Sequence, residues 1–127
     1  MPHQEIEHLL HAWAERTRTG QTDAILRDHH PDAVIFDVLA PLQYKGRAAY
    51  RRSWGDWQPE TQGENIFALE ELAVTAGDAL AFAHGLLRCG GTTAEGKTFQ
   101  DLVRATFCLR RGPHGWQITH QHISAPK

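Results

Sequence analysis

Trp116-Gln117-Ile118-Thr119-His120-Gln121-His122-Ile123-Ser124 is the stretch that decides the fold. Its large apolar residues Trp116 and Ile118 alternate with polar ones, the period of a half-buried β-strand. Gly112-Pro113-His114-Gly115 stands immediately before it as a turn. Upstream of that turn, Lys97–Arg110 is a second strand-like run, so the two read as a hairpin. Moving further towards the N-terminus, Gly90-Gly91 closes a run over Ala79–Cys89, and Ala76-Gly77-Asp78 closes one over Asn65–Thr75. Long strands separated by short turns make an antiparallel meander.

The first half of the chain has a different period. Ile6, Leu9, Leu10 and Trp13 recur at helical spacing within Gln4–Thr19, with Glu5, Glu7, Glu15, Arg16 and Arg18 on the other side and Gly20 placed to cap the C-terminus. Thr22 or Asp23 can open a short second helix running to about His29, stopped by Pro31. Ala33–Val38 is β-branched and aromatic, a strand with Asp37 inside it. Arg47–Trp57, carrying Tyr50, Trp54 and Trp57 at i, i+4 and i+7, predicts a third helix, with Pro59 and Gly63 as breakers. Helices followed by strands indicate an α+β domain with helices on one face of an antiparallel sheet.

Composition narrows the function classes. The 127 residues match one domain, 1–127, and carry 13 Lys+Arg against 15 Asp+Glu, a net charge of −2. No basic excess exists to grip a phosphate backbone, so nucleic acid is not the expected partner. No apolar run approaches the ~18 residues of a membrane span, and Met1–Glu5 lacks the layout of a signal peptide, so the expected compartment is the cytoplasm. Two cysteines make no disulfide framework.

Hairpin geometry assigns faces, because paired residues point the same way. A turn centred near Ala94 sets His84 opposite Arg104 and Phe82 opposite Thr106. A turn at Gly112–Pro113 sets Arg104 opposite Gln121 and Thr106 opposite Thr119. One face then carries the rows His84–Arg104–Gln121 and Phe82–Thr106–Thr119. The other carries Trp116, Ile118, His120, His122 and Cys89, which puts Cys89 and Cys108 on opposite faces. A bulge of one residue swaps these sets.

The segment Trp116-Gln-Ile-Thr-His-Gln-His-Ile-Ser-Ala-Pro126 resembles the closing strand of SnoaL-like proteins of the nuclear transport factor 2-like superfamily, and is similar to that of the calcium/calmodulin-dependent kinase II hub domain. Gly20-Gln-Thr-Asp-Ala-Ile-Leu26, Ala33-Val-Ile-Phe-Asp37 followed by Gly46, and Gly77-Asp78 before a long strand resemble further parts of the same pattern, in the same order. The resemblance implies a cystatin-like fold: a curved antiparallel sheet against three helices enclosing a conical pocket, with dimerisation through the convex sheet face. Its members include ketosteroid isomerase, cyclases, dehydratases and non-catalytic hubs, so the fold alone does not decide function.

Asp37 stands nine residues before Gly46, the spacing at which ketosteroid isomerase places its proton-shuttling aspartate. A carboxylate among apolar neighbours is poorly solvated, which suits abstraction of a proton next to a carbonyl. The alternative is a surface-reaching carboxylate at a strand end, or a partner for Arg47 or Lys45. That isomerase also needs oxyanion donors, and the matching positions here are Trp13 and, closely, Thr106, so steroid isomerisation is not assigned. His84 and Arg104 are the expected electrophile, able to hold a carboxylate, phosphate or enolate, or else a structural pair for Asp37, Glu70 or Asp101. Trp13, Tyr50, Trp54, Phe82, Thr106, Thr119 and Gln121 are the expected pocket lining. His120 and His122 share a strand face but lack a convergent third ligand, so neither a metal nor another cofactor is expected. Three functions remain open: a cofactor-free isomerase, cyclase or lyase with Asp37 as base and His84 or Arg104 at the oxyanion, acting on a small apolar or weakly acidic compound; a non-catalytic ligand-binding or oligomerisation domain; or an epoxide-opening or dehydrating enzyme using Asp37 with His84. A homodimer is expected, built on Trp116, Ile118 and the histidine pair.

Overall fold

The computed structural model describes residues 2–54, 61–93 and 95–126. Helix α1 (Pro2–Arg18) is followed by strands β1 (His29–Phe36) and β2 (Tyr44–Lys45), helix α2 (Arg47–Trp54), and strands β3 (Thr61–Ala76), β4 (Leu80–Thr93), β5 (Thr98–Gly112) and β6 (Gly115–Ser124). The strands form one sheet in the order β2-β1-β6-β5-β4-β3. All neighbours are antiparallel except β1 and β6, which run parallel. The α+β architecture and the meander read from the sequence are therefore present.

Two helices are described, not three. Residues 22–28 form a run of turns, with Ala24 N–H donating to Gln21 O (2.8 Å), Arg27 N–H to Ala24 O (3.3 Å) and His29 N–H to Leu26 O (3.0 Å). Seven residues are too few to repay helix nucleation. The segment is held from outside instead: Arg16, buried at the end of α1, donates from Nε to Ala24 O (2.8 Å) and from its guanidinium to Asp28 Oδ2 (3.1 Å). Pro31 does not stop a helix. It sits inside β1, which begins earlier than the sequence suggested, and Asp37 follows the strand rather than lying in it. The expected continuation of α2 to Trp57 lies outside the described residues.

Helix α1 lays Ile6, Leu10 and Trp13 on the inner face of the sheet. Trp13 packs edge-on against Phe67 (5.4 Å between ring centres) and Phe107 (5.3 Å). Ala83, Leu87, Ala105, Phe107, Leu109, Trp116 and Ile118 complete this layer. Each large side chain withdrawn from water stabilises the fold by about 1.5–3 kcal/mol. Trp13, expected to line a conical pocket, is 4% exposed and belongs to the packed core between helix and sheet.

Register decides which side chains face inward. β4 pairs with β5 so that His84 opposes Thr106 and Phe82 opposes Cys108, two residues from the expected partners. β5 pairs with β6 so that Thr106 opposes His122, Phe107 opposes Gln121, and Arg104 opposes Ser124. A bulge between Cys108 and Leu109 against Thr119 resets the alternation: Trp116 and Ile118 before it, and Gln121 and Ile123 after it, all face the core. The expected rows are thereby split. Gln121 joins the inner face, while His84, Arg104, Phe82 and Thr106 stay on the exposed outer face with His120 and His122. The dimer motif is corrected likewise, since Trp116 (5% exposed) and Ile118 (0%) are core residues. Cys89 and Cys108 are free thiols.

Candidate functional site

Asp37 is placed by β1. Ala33 and Ile35 point inward, and the period of two carries Asp37 to the same side just beyond the strand end. Both carboxylate oxygens are held. Oδ1 accepts from Val38 N–H (2.8 Å), and Oδ2 accepts from the Tyr50 hydroxyl (2.7 Å).

Tyr50 reaches that position because Gly46 ties α2 to β1. Gly46 N–H donates to Ala33 O (2.8 Å), and Gly46 O accepts from Tyr50 N–H (3.3 Å). Gly46 has φ +97°, a conformation disfavoured for side-chain-bearing residues, and a Cβ there would press on Pro31 O at 3.3 Å. Tyr44 and Trp54 each pack against the Tyr50 ring at 5.0 Å. Burial, and then the Asp37 carboxylate, push the Tyr50 hydroxyl far above its ordinary range, so it remains a neutral donor. Gln121 acts against that shift.

Behind Gln121 stands His29, wholly buried at the start of β1, its Nε2 2.7 Å from Gln121 Oε1. The amide oxygen accepts, so His29 Nε2 carries the proton. Burial pushes the His29 imidazole down to about 4, against the opposing influence of Gln121 and Asp28. His29 Nδ1 and Trp116 Nε1 are buried side-chain atoms with no partner among the described residues.

At the end of β1 an open groove of about 360 Å³ is lined by Phe36, Asp37, Leu42, Gln43 and His122. Phe36 stacks edge-on with His120 (4.7 Å) and His122 (5.3 Å). His120 is committed to structure, donating from Nδ1 to Val34 O (2.7 Å), whereas His122 is exposed at the groove wall. A second open hollow of about 340 Å³, between Ile66, Gly91, Thr92, Thr98, Phe99 and Gln100, holds no titratable side chain. The groove at the end of β1 is therefore the candidate site.

The expected site residues divide accordingly. Asp37, Tyr50 and Gln121 come together, with Trp54 against Tyr50. Trp13 is core packing. Thr119 donates to Cys108 O (3.2 Å) within the bulge. His84, Arg104, Phe82 and Thr106 do not join them. Arg88, not Arg104, pairs with Glu70. His29 and His122 belong to the site region without having been read there. No local signal marks His29, because the alternation of β1 breaks at exposed Pro31 and Asp32, where its register against β6 shifts; His122 was read on the outer face, where it lies, but not as bordering Asp37. Among the described residues no three His, Cys, Asp or Glu side chains converge to hold a metal, and no helix is long and apolar enough to cross a membrane.

The model of the SnoaL-like domain matches residues 6–127. The chain belongs to the SnoaL-like family. Among solved structures, this SnoaL-like chain is similar to an NTF2-like protein of unknown function from Pseudomonas putida KT2440, at 35% identity and TM-score 0.86 over 98% of this chain and 86% of that one. It shares its fold with a candidate calcium/calmodulin-dependent protein kinase II association domain from Xanthomonas campestris (20% identity, TM-score 0.80, 96% and 86% covered). It shares it also with a candidate dehydratase of the NTF2-like family from Streptomyces avermitilis (20%, 0.78, 99% and 99%). No curated protein matches.

Proposed function

We propose that the protein binds a small, largely apolar carbonyl compound in the groove at the end of β1 and moves a proton next to the carbonyl, with Asp37 as general base. The observation that carries this reading is the carboxylate itself. It is held at one oxygen by a backbone N–H and at the other by a buried phenol, yet it borders an open groove. Such an anion is oriented before substrate arrives and loses little on closure. Phe36 and Leu42 supply apolar contact, while Gln43 and His122 supply donors for a carbonyl oxygen that gains negative charge as the proton leaves. His122 thus takes the electrophilic role for which His84 and Arg104 were the sequence candidates. Membership of the SnoaL-like family agrees with small-molecule binding, and the fold shared with a candidate dehydratase agrees with proton-transfer chemistry.

The test is deuterium wash-in. Incubated in heavy water with cyclohexanone and cyclohexenone, the protein should speed exchange at the carbon beside the carbonyl. Asp37→Asn should slow that by about a hundredfold or more, the usual worth of a positioned general base. Unchanged exchange in Asp37→Asn rules the base role out.

We infer further that two copies pair through the outer sheet face. Leu80 and Phe82 stand there 66% and 50% exposed, beside the row His84–Thr106–His122. Pairing would withdraw these two large apolar side chains from water.

A further inference from the structure

We propose that His120 and His122, side by side on the outer face of β6, form a chelate for a divalent cation that favours imidazole ligands, such as zinc or nickel. Residues two apart on a strand project from the same face. Gln121 between them faces the core, so both histidines face out. Their ring centres lie 6.3 Å apart. A zinc–nitrogen bond of about 2.0–2.1 Å puts each ring centre roughly 3.2 Å from the ion, so two rings on one tetrahedral ion stand about 5.2 Å apart. The observed spacing exceeds that by about an ångström. His122 is exposed, and a small turn of its side chain closes the gap.

His120 gives one ring nitrogen to the fold and keeps the other in the form a metal requires. Its Nδ1 lies 2.7 Å from Val34 O. A carbonyl oxygen only accepts, so Nδ1 carries the proton and the neutral ring holds its lone pair on Nε2. Metal-bound histidines give their second N–H to a carbonyl or carboxylate in the same way, which fixes the ring and raises its basicity. Phe36 stands edge-on to both rings, at 4.7 Å and 5.3 Å, and walls the pair with apolar surface. No third His, Cys, Asp or Glu side chain converges on the pair among the described residues. Closed and catalytic zinc sites use three or four protein ligands, so this is an open chelate. Its remaining positions are left to water or to an oxygen of a molecule in the groove, whose wall includes His122. The site does not depend on Asp37 acting as a base.

The test is a zinc chloride titration of the metal-free protein, followed by nitrogen NMR of the histidine rings and by calorimetry. Before zinc is added, His120 should show the Nδ1–H tautomer; an Nε2–H tautomer removes the lone pair and overturns the site. On titration the His120 and His122 ring nitrogens should shift first, with one ion bound per chain. His122→Ala and His120→Ala should each weaken binding at least tenfold, since even the loss of an outer partner of a ligand costs about 10–100-fold. His122 is exposed, so its substitution leaves the core untouched. His84→Ala should bind zinc as wild type does, because His84 shares the outer face but stands two strands away. Zinc collecting first at His3, His8 and His11 of α1, wild-type affinity in His122→Ala, or no binding at millimolar zinc would each overturn the proposal.

Discussion

His29 shows how burial, with smaller help from the Arg47 and Arg16 charges, can make a residue pH-sensitive. Free histidine titrates near 6.5, and in the fold the value is pushed down to about 4. Between those values the unfolded chain binds a proton that the folded chain refuses, so stability falls as pH drops through that window and is fully present above 6.5. The difference corresponds to about 3 kcal/mol lost from this residue. In His29→Gln, which cannot titrate, that part of the loss should be missing. Urea unfolding of both proteins at neutral pH and near pH 4 measures it, and parallel losses would show that His29 is not held neutral.

At the level of elements, one extra residue decides which side chains meet. Phe107 and His84 sit on adjacent strands and opposite faces. Phe107→Ala removes a fully buried ring and its edge-on contact with Trp13, and should cost about 3–5 kcal/mol. His84→Ala on the outer face should change stability by no more than about 0.5 kcal/mol. Chemical denaturation of the two variants therefore tests the face assignment. The same elements show what could be read in advance. The strands were legible because alternation and turn residues are local signals, and Asp37 because its neighbours Ile35 and Gly46 mark a strand and the turn after it. The row His84–Arg104–Gln121 was not legible. The bulge at Thr119 depends on how β5 and β6 pack, and a slip of one residue sends Gln121 inward and His122 outward. The turns at 22–28 were misread as a helix because their anchor, Arg16, acts from another element.

At the scale of the molecule, the inner face is spent on the core, the proposed pairing uses the outer face, and the proposed chemistry sits at the rim where β1 ends. Phe82→Glu puts a charge beside Leu80 on the outer face. Sedimentation at micromolar concentration should show the wild type as a dimer and Phe82→Glu as a monomer; a monomeric wild type removes the pairing proposal and leaves the rim site as it stands. The location of that site is the central claim, and proton–nitrogen correlation spectra recorded while cyclohexenone is added test it most directly. The account predicts shifts gathered at Phe36, Asp37, Leu42, Gln43 and His122. Shifts gathered instead at His84, Arg104 and Thr106 would contradict it.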